Sequence, residues 1–145
     1  MVKKKVAFVC THNSCRSIMA EGWAKHLGKD VLEAYSAGTE KYDKPKPLAI
    51  EVMEDLGIDM SHASSKLLDK LPEGINILIT MGCGVECPFV VCDHREDWGL
   101  DDPSGGPKSG FEYTRDLIKE KVIELIERIK SGEFDERKQT INLAL

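Results

Sequence analysis

The apolar run Val6-Ala7-Phe8-Val9 ends at Cys10 and gives way at once to Thr11-His12-Asn13-Ser14-Cys15, after which Arg16 to Leu27 repeats its apolar positions at helical spacing. Uninterrupted apolar residues of this kind suit a strand buried on both faces. Ala20, Trp23, Ala24 and Leu27 would line one side of a helix that Gly28 stops. The chain must therefore pass from a central strand through a short polar loop into a helix. A thiol at that hinge, an arginine six positions on and a helix N-terminus surround one point with backbone N–H groups, a guanidinium and a positive dipole end. Such a point favours a thiolate and binds a tetrahedral oxyanion.

The same alternation continues. Val31 to Ser36 predicts a second strand, Gly38 opens a polar loop through Lys46, and Pro47 with the stripe Leu48, Val52 and Leu56 predicts a helix ending before Gly57. Leu67, Leu68 and Leu71 predict a short helix within Ser61 to Leu71, ahead of Pro72-Glu73-Gly74. Ile75 to Thr80 reads as a third strand, Met81 to Cys92 as a loop rich in glycine and cysteine, and the stretch from Phe89 to Trp98 as holding a short fourth strand. Asp101 to Pro107 cannot be regular structure. Ser109 and Glu112 have the spacing of a capping box for a long helix faced by Ile118, Val122, Leu125 and Ile129.

The expected architecture is α/β. One domain over residues 1–132 would hold a parallel sheet with right-handed crossovers and helices on both faces, followed by a polar tail, 133–145, that is only partly ordered. A chain of 145 residues, 41% of them hydrophobic, fits a single core. Its net charge of -5 argues against nucleic-acid or membrane-surface binding, which need a basic face, so an anionic ligand must be captured locally. Met1 to Lys5 is basic, but the apolar run after it is too short for a secretory signal, and no window is long enough to cross a bilayer, so a cytoplasmic protein is expected. An odd number of cysteines, at 10, 15, 83, 87 and 92, argues against a permanent disulfide framework.

Ligands of such sheets sit at the carboxyl ends of the strands, and Cys10, Cys83 and Asp102 fall there. Arg16 offers planar bidentate donors to an oxyanion, Ser17 can hydrogen-bond the thiolate, and the amides of Thr11, His12, Asn13, Ser14 and Cys15 would complete the cradle. Asp102, ahead of Pro103, is a candidate general acid, with Asp101 as the neighbouring alternative. Cys83, Cys87, Cys92 and His94 admit three readings: a redox relay starting from an adduct on Cys10, a zinc site, or inert buried thiols. Cys15 can protect Cys10 through a disulfide or merely face the core.

The segment Cys10 to Ser17 resembles the phosphate-binding loop of the low-molecular-weight protein tyrosine phosphatase superfamily. Met19-Ala20-Glu21-Gly22-Trp23, Tyr35-Ser36-Ala37-Gly38, Thr80-Met81-Gly82-Cys83, Glu86-Cys87-Pro88 and Trp98 to Pro103 are similar to its arsenate reductase branch. The resemblance implies a four-stranded parallel sheet in the order 2-1-3-4 and a protein that turns arsenate into arsenite. In it Cys10 would be the nucleophile, Arg16 and the loop amides the oxyanion site, Ser17 the support of the thiolate and Asp102 the acid. Cys83 would attack the Cys10 adduct, Cys87 would take over the bond with Cys83, and thioredoxin would reduce the final disulfide. The runner-up is a phosphatase using Cys10, Arg16 and Asp102 alone. Only Gly84, Val85 and Glu86 separate Cys83 from Cys87, closer than in the thioredoxin-coupled members, which makes Cys92 the alternative terminal thiol. No tightly bound cofactor is implied. Some members bind potassium, and Asn13, Glu21 and Ser36 match that site, with Ser65 where the family carries an aspartate. A monomer is expected.

Overall fold

The computed structural model of the chain describes residues 3–40, 43–61, 63–82 and 90–135. Its centre is β1 (Lys4–Cys10), paired in parallel with β2 (Leu32–Gly38) on one side and β3 (Ile75–Thr80) on the other; β4 (Cys92–Asp97) lies beyond β3, which gives the order β2-β1-β3-β4. The order and the parallel pairing are those expected. Side chains alternate across a strand, so Val6, Phe8 and Cys10 belong to one core and Ala7 and Val9 to the other. The first core is capped by α1 (Arg16–Leu27), α2 (Pro47–Glu54) and α3 (Lys108–Lys130). Trp23 Nε1 donates to the Arg115 carbonyl at 3.1 Å and Arg115 Nη1 to the Val52 carbonyl at 3.0 Å, which ties the three helices together. Among the described residues no helix is long and apolar enough to cross a membrane.

The second core is covered by Leu68 and Leu71 around a 3-10 turn, Leu68–Lys70, rather than by the helix expected within Ser61 to Leu71. The reason lies in the backbone of Lys66 and Leu67. The Lys66 carbonyl accepts from Gly38 N at 2.7 Å, Lys66 N donates to the Asn13 side chain, and Leu67 bridges to Gly38, so groups a helix would need are committed to the end of β2 and to the loop after β1. The capping box of Ser109 and Glu112 is also not formed. Pro107 occupies the N-cap, α3 begins at Lys108, and Ser109 lies inside the first turn. β2 runs two residues past Ser36, to Gly38.

Glu96 fastens β4 to α3. Its carboxylate accepts from Arg128 Nη1 and Nη2 at 3.0 and 2.9 Å, from Trp98 Nε1 at 3.0 Å and from His94 Nε2 at 2.8 Å. Phe134 is buried against His94 and the Arg128 guanidinium. Burial pushes the Glu96 carboxyl up, but the hydrogen bonds from Arg128, His94 and Trp98 outweigh it and hold it at about 2, below its ordinary 4.5. A group depressed on folding stabilises the protein fully above its unfolded value and loses that contribution as pH falls through the folded one. Glu96→Gln is therefore expected to cost on the order of 2 kcal/mol at pH 7, allowing for solvent screening. Its stability should then change less than that of the unsubstituted protein between about 4.5 and 2. Urea titrations at pH 7 and at about pH 3 check both halves of the expectation.

Candidate active site

Four carbonyl oxygens of the loop after β1 are tied outward. Cys10 O accepts from Thr39 N, Thr11 O from Glu40 N, Ser14 O from Lys46 N and Asn13 O from Ser65 Oγ, at 3.3, 2.8, 2.7 and 2.7 Å. In a trans peptide the N–H points opposite to the C=O, so the amides of Thr11, His12, Ser14 and Cys15 turn inward, to the side where α1 begins. Asn13 makes the turn at φ 53°, the only described non-glycine residue with positive φ. The first turn of α1 contains no acidic residue, so no carboxylate there opposes an anion. Gly38 supports the loop from below, where a Cβ would stand 2.7 Å from the Thr11 carbonyl oxygen and 2.8 Å from Asn13 N.

A chain of hydrogen bonds orients the proton next to Cys10. Lys66 N can only donate, and it donates to Asn13 Oδ1 at 2.8 Å, which makes the other end of that amide the donor; Asn13 Nδ2 gives its hydrogen to Ser17 Oγ at 2.9 Å. Ser17 Oγ is thus already an acceptor, and its own hydrogen is left for Cys10 Sγ, 2.9 Å away. That is the arrangement a thiolate accepts.

Arg16 is buried and divided between two tasks. Nη1 donates to the Met81 carbonyl at 2.9 Å and to the Leu100 carbonyl at 2.7 Å, which holds the guanidinium against the ends of β3 and β4. Nε is buried with no hydrogen-bond partner among the described residues, and Nη2 lies 3.8 Å from Asp102 Oδ2. An unmet buried donor costs about 1–3 kcal/mol, a cost that a bound oxyanion on the Nε/Nη2 fork would relieve. Cys10, Arg16, Gly82, Asp101 and Asp102 line one cavity of about 330 Å³ together with Thr11, His12, Ser14 and Cys15; among the described residues no phenylalanine, tyrosine or tryptophan lines it.

Asp102 is half-exposed and Ser104 N donates to its Oδ1 at 3.0 Å. Burial pushes its carboxyl up, but the hydrogen bonds from Ser104 and the charges of Arg16 and Lys46 outweigh burial and hold it below the ordinary carboxylate value. Cys15 is opposite in character: burial first, then Asp102 and Cys10, push its thiol up to about 12. It stays protonated at neutral pH and faces the core. His12 pairs with Glu40 at the rim, at 3.2 Å.

Cys83 and Cys87 lie outside the described residues. Cys92 opens β4 opposite Ile75, whereas Val9, next to Cys10, is level with Thr80. The five steps from Ile75 to Thr80 at ~3.3 Å each put Cys92 roughly 16 Å down the sheet from the Cys10 end. His94 is committed to Glu96, and among the described residues no group of three or more His, Cys, Asp or Glu side chains is placed to hold a metal. The potassium candidates already hold protein partners. Ser36 Oγ donates to Glu21 Oε1 and Lys25 Nζ stands 3.1 Å from Glu21 Oε2, while Asn13 is spent on Ser17 and Lys66 and Ser65 on the Asn13 carbonyl. An ammonium already balances the buried carboxylate.

Gly38 and Ser65 escaped the sequence reading as supports of the loop, although Ala37-Gly38 after an apolar strand was a signal for close backbone approach. Nothing in Ser64-Ser65-Lys66 announced a contact with Asn13, more than fifty residues away.

A sequence model of the low molecular weight phosphotyrosine protein phosphatase family matches residues 5–133. An arsenate reductase of Staphylococcus aureus (strain Newman) is 45% identical over 123 residues, 82% of this chain and 93% of that protein. A second relative, arsenate reductase 2 of Staphylococcus haemolyticus, is 42% identical over the same shares. Among solved structures, an arsenate reductase in the phosphate-binding state superposes with a TM-score of 0.80 at 42% identity, covering 87% of this chain and 98% of that one. A thioredoxin-dependent arsenate reductase of Corynebacterium glutamicum superposes with a TM-score of 0.74 at 29% identity, covering 90% of this chain and 63% of that one.

Proposed function

Since the chain belongs to the low molecular weight phosphotyrosine protein phosphatase family, and its relatives at 42–45% identity are arsenate reductases, we propose that it reduces arsenate to arsenite. Arsenate would sit in the loop with its oxygens on the inward amides and on the Nε/Nη2 fork of Arg16. The Cys10 thiolate, held by the Ser17 hydroxyl, attacks arsenic, and an arsenate hydroxyl leaves as water with a proton from Asp102. In the free protein Asp102 is a carboxylate; a bound dianion offsets the Arg16 charge that depresses it and lets it carry that proton into the step.

The electrons come from thiols. The Cys83 thiolate attacks Cys10 Sγ, the sulfur–arsenic bond breaks with its electron pair passing to arsenic, arsenite leaves, and a Cys10–Cys83 disulfide remains. The Cys87 thiolate then attacks Cys83 Sγ and frees Cys10. Cys92 opens β4 at the end opposite Asp97, the residue that Gly82 contacts just before Cys83, and this favours Cys87 as the terminal thiol. An external dithiol, thioredoxin by analogy with the Corynebacterium protein, reduces the Cys83–Cys87 bond.

One observation carries the choice of reduction over hydrolysis: Gly82 lines the same cavity as Cys10, and Cys83 is the next residue. Among the described residues no phenylalanine, tyrosine or tryptophan lines the cavity, which also favours a small oxyanion over a phosphotyrosine ring. Reduced protein mixed with one equivalent of arsenate and no other reductant should release one arsenite and lose two thiols per chain. Hydrolysis of p-nitrophenyl phosphate through a phosphocysteine, with no thiol consumed and no arsenite formed, is the outcome of the phosphatase reading.

A further inference from the structure

The base of the Cys83 segment is held from two sides. On one side Arg16 Nη1 donates to the Met81 carbonyl; on the other a single oxygen of Asp97, the last residue of β4, accepts from Thr80 Oγ1 at 2.7 Å and from Gly82 N at 2.8 Å. Trp98 N donates to Thr80 O and Leu100 N to Met81 O, at 2.8 and 3.2 Å, so residues 80–82 are laced to residues 97–100 bond by bond. Gly82 lies at φ 78°, and a Cβ there would come within 2.5 Å of Leu100 N. The direction in which the chain leaves Gly82 is thus set by the Asp97 carboxylate and by a close backbone contact, immediately before the residue to which the relay assigns its second thiol.

We propose that Asp97 is a positioning residue for the second chemical step, resting on the relay described above: its carboxylate fixes the Gly82 peptide, the last anchored point before Cys83. In that step the Cys10 Sγ–Cys83 Sγ bond forms, the Cys10 Sγ–arsenic bond breaks with its pair on arsenic, and arsenic falls from the +5 to the +3 state. Asp97 touches none of these atoms. It acts through geometry, and a displacement of about 1 Å at a reacting group is enough to slow a step by about two orders of magnitude. Oxyanion capture does not depend on it, because Arg16 keeps its own bonds to Met81 and Leu100.

The test compares two readouts in Asp97→Ala and Asp97→Asn. The first is alkylation of Cys10 by iodoacetate and its protection by inorganic phosphate, which report the thiolate and its cradle. The second is the rate of arsenite release after mixing reduced protein with arsenate. Asp97→Ala should slow arsenite release by about tenfold or more and leave alkylation and protection within about twofold. Asp97→Asn, which keeps an acceptor oxygen in place, should restore most of the rate. Equal losses in both readouts would reduce Asp97 to a structural residue and overturn the proposal, as would an unchanged release rate in Asp97→Ala or no recovery in Asp97→Asn. If the unsubstituted protein itself released no arsenite, the relay reading would fall and this proposal with it; failure confined to the Asp97 variants leaves the relay standing.

Discussion

Arg16→Lys is expected to lower kcat/KM for arsenate by about 10³ without unfolding the protein, an effect at the upper end of those for removing one oxyanion donor. Two losses combine. An ammonium has no planar fork, so the paired contact made by Nε and Nη2 is replaced by one point charge. The Met81 and Leu100 carbonyls, now bonded to Nη1, also lose the group that draws the ends of β3 and β4 together. Steady-state kinetics with a coupled dithiol reductant measure the loss, and far-UV circular dichroism confirms that the fold persists. A loss below about tenfold would mean that the loop amides hold the anion alone.

Cys83→Ser is expected to suppress arsenite formation by about 10³ or more, because residues acting as one unit fail together. The serine hydroxyl cannot attack Cys10 Sγ to displace arsenite and has no two-electron couple to offer. Cys10 keeps Ser17, Arg16 and its loop, so its alkylation by iodoacetate and protection by phosphate should be unchanged. Arsenite assays beside alkylation rates separate the two outcomes; full turnover in the variant would remove Cys83 from the mechanism.

The fold was legible where period and punctuation agreed. Arg16 to Leu27 and Ile75 to Thr80 have the bounds their sequence suggests, because each is an apolar pattern with a clear stop. Ser61 to Leu71 was not legible: its leucines have helical spacing, but its polar backbone groups serve Gly38 and Asn13, and that demand arises only once the chain is folded. The site follows the same division. Cys10 ends β1, Arg16 opens α1 and Asp102 lies in the loop after β4, positions that alone give them meaning. Lys25, one turn along the same helix, stands beside the outer oxygen of Glu21, a pairing that motif comparison passes over and helical geometry makes plain. Asp97 was invisible because its partners, Thr80 and the Gly82 amide, are brought to it only by the pairing of β3 with β4.

The central claim is that Cys10 receives the oxyanion and that thiols beyond β3 supply the electrons. Mapping disulfides by mass spectrometry, after reduced protein meets one equivalent of arsenate and is quenched by alkylation, tests it most directly. The account predicts an arsenate-dependent bond between Cys83 and Cys87, with Cys10 and Cys92 alkylated as free thiols. An unchanged set of five alkylated cysteines, or a bond confined to Cys10 and Cys15, would contradict it.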